Sequence, residues 1–331
     1  MINGSIKRNY MIGFKALSLL LLSFFFAACS TTKTSDRYRE GDNRGQIAEL
    51  SVEQEKQLTK EALVEMKKDF PPVQNQELQQ YIEKLGQKIV DANKLHNAPY
   101  SYQFTAVDSG QVNAFALPAG SIFITAPIIA MADTEAEIAG VLGHEIGHVV
   151  ARHTAERMYV AKKEQSKSVL FGGLGAALGG TAGYFLGKKL CPAGDQECLA
   201  KVTLYGAGGG AVAGLMVQKY GFMKNSQEDE LESDRVGFRY AVRAGFDKKY
   251  VGDFYKKLLA LEKQSKKNQN AVMSSLADAM SSHPPSNARV AQAEEMKRII
   301  KENGGLASGD EFQKMKKIAQ AIVNKHSKTK P

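Results

Sequence analysis

The sequence predicts an α+β protein, mainly helical, with a small β-sheet and one helix that carries the chemistry. Three observations lead there. Apolar residues recur at helical spacing before Tyr102 and again after Asp133; the period shortens to that of strands only between Tyr102 and Ala126; and His144-Glu145-Ile146-Gly147-His148 falls inside the second helical pattern. With 331 residues, 43% of them hydrophobic, the chain has material for a packed core, which excludes a disordered protein. The formal charge of +9 reads as a Lys-rich solvated exterior, and no nucleic-acid motif accompanies it, so no nucleic-acid partner is expected.

Residues 1–28 hold the bases Lys7, Arg8 and Lys15, the apolar run Ala16 to Phe26, and the small pair Ala27-Ala28 before Cys29. This is the layout of an exported lipoprotein leader. The expectation is removal of 1–28, lipid on Cys29, and, with Ser30 next, delivery to the periplasmic face of the outer membrane. Phe26 departs from the usual pattern, in which leucine is favoured three residues before the cysteine, and an uncleaved anchor is the alternative; both export the rest. Residues 29–50 are polar and read as a lipidated tether. In an exported chain Cys191 and Cys198, six residues between them, are expected to form a disulfide. A zinc pair is the alternative, but no second Cys or His pair lies nearby to complete four ligands.

The folded domain is expected over 51–326, followed by a disordered tail at 327–331. Apolar spacing predicts helices over Ser51 to Asp69 and Asn75 to Asn93, divided by Pro71-Pro72. YQFTAVDS, NAFALP and SIFITA, separated by Gly and Pro signals, read as three short strands. Asp133 or Thr134 then caps a helix whose pattern runs past His153, with Glu137 placed for a capping box. Between 168 and 218, glycines recur every four residues at Gly175, Gly179, Gly183 and Gly187 and again at Gly206, Gly210 and Gly214. Such spacing lets helix backbones approach closely and predicts an inserted helical hairpin with the cysteines at its tip; a flexible loop is the alternative. Helices follow over Glu228 to Arg243, Lys248 to Lys263, Ser286 to Glu302 and Asp310 to Asn324.

Residues i and i+4 share a helix face, so His144 and His148 can reach one zinc ion, and Glu145 then lies beside the attacking water as its base. Two histidines leave the site incomplete. Ala151 and Thr154 occupy the positions an extended HExxHxxGxxH motif would need, and His153 is one residue out of register. The best remaining source is EDELESDR, where Glu230 and Asp234 are again i and i+4: Glu230 as third ligand, Asp234 holding a ligating histidine by its second nitrogen. One zinc ion is therefore expected.

NAFALPAGSIFIT, EIAGVLGHEIGHVVARH, ELESDRVGF and SSHPPSNAR, in this order, resemble the gluzincin zinc metallopeptidases that include the CAAX prenyl proteases and heat-shock membrane peptidases. Within them the chain is most similar to the exported lipoprotein branch of β-barrel-assembly-enhancing proteases. The resemblance covers roughly residues 51 to 289 and implies a mainly helical zincin-type metallopeptidase domain. It assigns His144, His148 and Glu230 as ligands, Glu145 as general base and Asp234 as their support. It further implies that His283 contacts the zinc or its water in a closed enzyme, that Arg289 steadies a developing oxyanion, and that Asn113, Ala114, Phe115 and Ala116 form an edge strand to which an extended substrate adds. The hairpin at 168–218 departs from the family, in which this region is often shorter.

The expected function is hydrolysis of misassembled or damaged cell-envelope proteins, with the membrane engaged through the N-terminal lipid and the β-barrel assembly machinery as a candidate partner. Two other classes compete: a chaperone or assembly factor for outer-membrane proteins with a mostly closed site, and a membrane-interacting protein acting through its glycine hairpin.

Overall fold

Ser51 opens the first helix, α1 (Val52–Asp69), through a reciprocal cap: its hydroxyl accepts from Gln54 N at 3.2 Å while its own N–H donates to Gln54 Oε1 at 2.8 Å. The computed structural model describes residues 40–41, 43, 50–97, 99–157, 225–267 and 282–328. The leader, Cys29, the hairpin at 168–218 and Cys191 and Cys198 lie outside the described residues. Asn75 caps α2 (Gln76–Ala92), which turns Leu78, Ile82, Leu85 and Ile89 inward against β1 (Gln103–Val107). Full burial of each such side chain contributes about 1.5–3 kcal/mol.

The three strands fall where the short period placed them. β3 (Ser121–Thr125) is central, parallel to β1 and antiparallel to β2 (Ala114–Ala116), with Phe115 opposite Phe123. Every residue of β3 is buried, which is why SIFIT reads as a continuous apolar run rather than an alternation. β2 lies at one edge of the sheet.

After α3 (Ala126–Met131), Thr134 caps α4 (Glu135–Val150), and Glu137 accepts from Asp133 N at 3.3 Å. This helix is buried from Glu135 to Val149 and carries the HExxH motif through the core. It does not continue past His153 as the apolar pattern suggested. Ala151 closes it, Arg152 adopts φ 54°, and helical backbone resumes at His153. Arg152 Nε donates to buried Glu55 at 2.8 Å and Nη2 to the Leu50 carbonyl at 2.6 Å, contacts that offset the roughly 1–2 kcal/mol cost of a left-handed residue other than glycine.

α5 (Gln227–Arg243) begins at a capping box of Ser226 and Asp229 and packs directly on α4. The two backbones touch at Gly143 and Gly237: a Cβ on Gly237 would stand 2.4 Å from Gly143 C and His144 N. Gly237→Ala is expected to force apart the two helices that carry the expected zinc ligands, lowering stability by about 1–3 kcal/mol and weakening metal retention. Thermal melting together with zinc content checks this; a variant that melts and binds zinc like the parent would contradict it.

The predicted single helix from Lys248 to Lys263 is two, α6 (Lys248–Val251) and α7 (Asp253–Lys267). Gly252 divides them where α8 (Asn287–Ile299) crosses, and a Cβ there would lie 2.6 Å from Ala293 Cβ. α9 (Phe312–Lys328) packs on α3 and runs two residues into the expected tail. Among the described residues, no helix is long and apolar enough to cross a membrane.

Candidate metal centre

One helical turn separates His144 from His148, and both imidazoles turn toward α5, their Nε2 atoms 3.0 Å apart. The tight glycine contact between α4 and α5 brings Glu230 to meet them: Oε1 lies 3.2 Å from His148 Nε2 and Oε2 lies 3.4 Å from His144 Nε2. His283, from the segment before α8, completes the group, with Nδ1 3.3 Å from His144 Nε2 and 3.0 Å from Glu230 Oε1. One donor atom from each of these four buried residues lies within 4.8 Å of the others.

Asp234, one turn beyond Glu230, stands 2.7 Å from His144 Nδ1 and so fixes that ring with Nε2 facing the centre. Arg289 is inserted behind the pair. Its Nε and Nη2 donate to the two oxygens of Asp234 at 2.7 and 2.6 Å, and Nη1 lies 2.7 Å from Glu230 Oε2, close enough for ion pairing but out of line for a hydrogen bond. Its guanidinium also covers the Tyr255 ring, 4.7 Å from the centroid. Burial opposes ionisation at Glu230 and Asp234, yet the neighbouring cationic groups, Arg289 prominent among them, outweigh it and hold both carboxyls below their usual range.

Glu145 faces a different way. Its Oε1 is 3.4 Å from His283 Nε2, while Oε2 is buried and has no hydrogen-bond partner among the described residues. Burial pushes its carboxyl up, partly countered by His283 and His144. It borders a pocket with apolar walls from Ile128, Val141, Phe254 and Leu258, with Tyr255 and Arg289 also lining it.

The donor set fits a zinc ion: three imidazoles and one carboxylate provide nitrogen and oxygen ligands in the number a tetrahedral site takes. Two further features agree. Glu230 and Asp234 lift His144 to about 9 against burial and the Arg289 charge, while burial and the neighbouring His144 hold His148 well below its ordinary value, the unprotonated form that a ligand takes. The same acceptors also converge on one donor, Asn225 Nδ2, which lies 2.5 Å from Glu230 Oε1, 3.2 Å from His148 Nε2 and 3.3 Å from His283 Nδ1.

The structure thus brings His144, Glu145, His148, Glu230, Asp234, His283 and Arg289 together. It places Asn113 and Ala114 beside them: Ser282 Oγ donates to Asn113 Oδ1 at 3.3 Å, and His283 Nε2 lies 3.0 Å from the Ala114 carbonyl. Phe115 points the other way, into a small cluster with Phe70 and Phe123, and Ala116 is buried in the main core. Sequence reasoning missed Asn225 and Tyr255. Asn225 directly precedes the cap of α5, only five residues from Glu230, but a lone Asn before a helix is an ordinary signal; Tyr255 carries none.

The family model for peptidase family M48 matches residues 73–297. Curated relatives include the β-barrel assembly-enhancing protease of Yersinia pestis, 28% identical over 286 residues, covering 85% of this chain and 52% of that protein. The protein of the same name in Escherichia coli K12 is 28% identical over 244 residues, 74% of this chain and 44% of that one. The mitochondrial metalloendopeptidase OMA1 of Arabidopsis thaliana is 26% identical over 226 residues, 67% of this chain and 38% of that one. The chain spans about half or less of the length of these relatives.

Proposed function

Because the chain belongs to peptidase family M48, we propose that it is a zinc-dependent endopeptidase that hydrolyses misassembled or damaged proteins of the cell envelope, held at the periplasmic face of the outer membrane by lipid on Cys29. The observation that carries the chemistry is the buried Oε2 of Glu145, without a hydrogen-bond partner among the described residues, beside the convergence of His144, His148 and Glu230. Those three residues would hold the ion, and a bound zinc supplies Lewis-acid polarisation of the peptide carbonyl and acidification of water. Glu145 accepts the proton of the attacking water and returns it to the departing amine. Asp234 keeps His144 in the tautomer that presents Nε2, and Arg289 holds Asp234 and Glu230 in place. No covalent enzyme intermediate is needed.

A peptide is read as lying along β2. The carbonyls of Ala114 and Ala116, two residues apart, point to the same outer edge, where His283 Nε2 sits on the first and the Thr154 hydroxyl lies 3.5 Å from the second. Substrate must therefore displace His283 both from the strand and from the fourth ligand position. His283→Ala is expected to raise basal cleavage of unfolded casein, about tenfold if the closed form outweighs the open one by that ratio. Unchanged activity would argue against a closing role.

Two measurements test the main reading. Metal analysis of the purified chain should find about one zinc ion per molecule. Comparing envelope proteomes of cells carrying the parent or Glu145→Gln should reveal substrates accumulating in the variant. The seating of His283 also favours a second reading, an assembly factor for outer-membrane proteins whose site stays mostly closed; identical proteomes with an otherwise intact phenotype would select it. Incorporation of labelled palmitate that vanishes in Cys29→Ser tests the anchor.

A further inference from the structure

Away from the metal cavity, behind His148, lies a second buried group of His153, Asp229 and Glu232. His153 is five positions after His148, and on an uninterrupted helix, at 3.6 residues per turn, it would point roughly 140° away. The break at Ala151 and Arg152 resets its direction. The two rings then meet at a centroid separation of 5.0 Å, with their Nδ1 atoms 2.8 Å apart.

The protons follow from the partners. As a metal ligand His148 presents an unprotonated Nε2, which Asn225 Nδ2 also approaches as a donor at 3.2 Å, so its Nδ1 carries the hydrogen and donates to His153 Nδ1. A neutral imidazole that accepts at Nδ1 bears its own hydrogen on Nε2, and His153 Nε2 lies 3.1 Å from Glu232 Oε2. Ser233 Oγ approaches the same accepting Nδ1 at 3.2 Å. The remaining oxygen of Glu232 accepts the Gly41 N–H at 2.9 Å, which fixes the carboxylate plane. His153 and Glu232 are both fully buried, so water does not compete for these bonds.

We propose that His153, oriented by Glu232, is a positioning residue for metal binding: it fixes the tautomer and ring angle of His148 as Asp234 does for His144. The inference rests on His148 being a metal ligand. A second metal ion at His153, Asp229 and Glu232 is disfavoured, because both nitrogens of His153 are already engaged and Arg157 supplies positive charge to Asp229.

The test uses the full chain and its His153→Leu and His153→Asn variants, with zinc affinity measured against a chromophoric chelator, the visible spectrum of the cobalt-loaded proteins, and melting of the metal-free proteins. Leucine removes the acceptor at similar volume, and asparagine Oδ1 restores an acceptor near the position of Nδ1. His153→Leu should lose about ten- to a hundredfold in zinc affinity with a shifted cobalt spectrum, while His153→Asn recovers most of both. Zinc affinity of His153→Leu within about twofold of the parent would overturn the proposal. Equal losses in both variants that track a lower metal-free melting temperature would overturn it as well, leaving a purely structural histidine. Two zinc ions per parent chain would replace it with a second metal site. A parent that binds no zinc would remove the metal-centre reading and this proposal together, whereas the first two results leave that reading standing.

Discussion

Glu145→Gln should leave zinc content unchanged and lower kcat for peptide hydrolysis by about 10²–10⁴-fold. The substitution keeps the shape of the side chain and its contact near His283, and Glu145 is not among the four residues whose donor atoms converge. What it removes is a basic oxygen, the buried Oε2 that has no hydrogen-bond partner among the described residues. Burial already raises the affinity of this carboxyl for protons, which brings a weak base closer to the strength useful at neutral pH. Kinetics on a fluorogenic casein digest, with metal analysis and melting of the same preparation, check the result. Loss of zinc alongside activity would show that Glu145 supports the ligands, and activity within about tenfold of the parent would remove it as the base.

Arg289→Met should destabilise the metal-free protein by about 3–5 kcal/mol, the cost of leaving a buried charge without its partner. Asp234 loses two hydrogen bonds and Glu230 its nearest guanidinium, and both carboxylates are at most 2% exposed. The effect depends on pH with a definite sign. Both acids have depressed pKa values in the folded protein, so the stability they lend is present above the ordinary carboxylate range and is lost as pH falls through those depressed values. The gap between parent and variant should therefore be widest near neutrality and shrink in acid. Chemical denaturation at neutral pH and at a pH below the ordinary carboxylate range measures it; a gap that widens on acidification would contradict the assignment.

The parts of this architecture governed by local spacing were legible. His144 and His148, and then Glu230 and Asp234, each sit one turn apart, and that interval places two side chains on one face whatever surrounds them. The three strands were visible because their residue types and Gly and Pro boundaries are local. Their order was not: β3 between β1 and β2 is decided by pairing between distant segments, and a run such as SIFIT is compatible with more than one place in a sheet. The end of α4 was misplaced because Arg152 takes a left-handed backbone, held by Glu55 from a segment about a hundred residues earlier. His153 was discounted because it stands one residue out of register with an extended HExxHxxGxxH motif; the break at Ala151 and Arg152 that turns it toward His148 has no local signal. The glycines at 140, 143 and 147 were visible beside the motif, but their use emerges only when the partners arrive: Val251 of α6 against Gly140, Gly237 of α5 against Gly143 and Ser233 of α5 against Gly147.

β2 is three residues long, which at about 3.3 Å per residue offers an incoming chain roughly 10 Å of edge. So short a template can grip only a few residues, and it can grip them only when they arrive straight, with their own amides free. A segment already spent on a helix or an intact sheet has no amides to lend. For a peptidase that docks its targets there, selection reads the absence of conformation more than the identity of side chains, so a well-folded protein is spared because its backbone is already engaged. Native and reduced, alkylated forms of one secreted protein, offered side by side, should be told apart by rate although their sequences are the same.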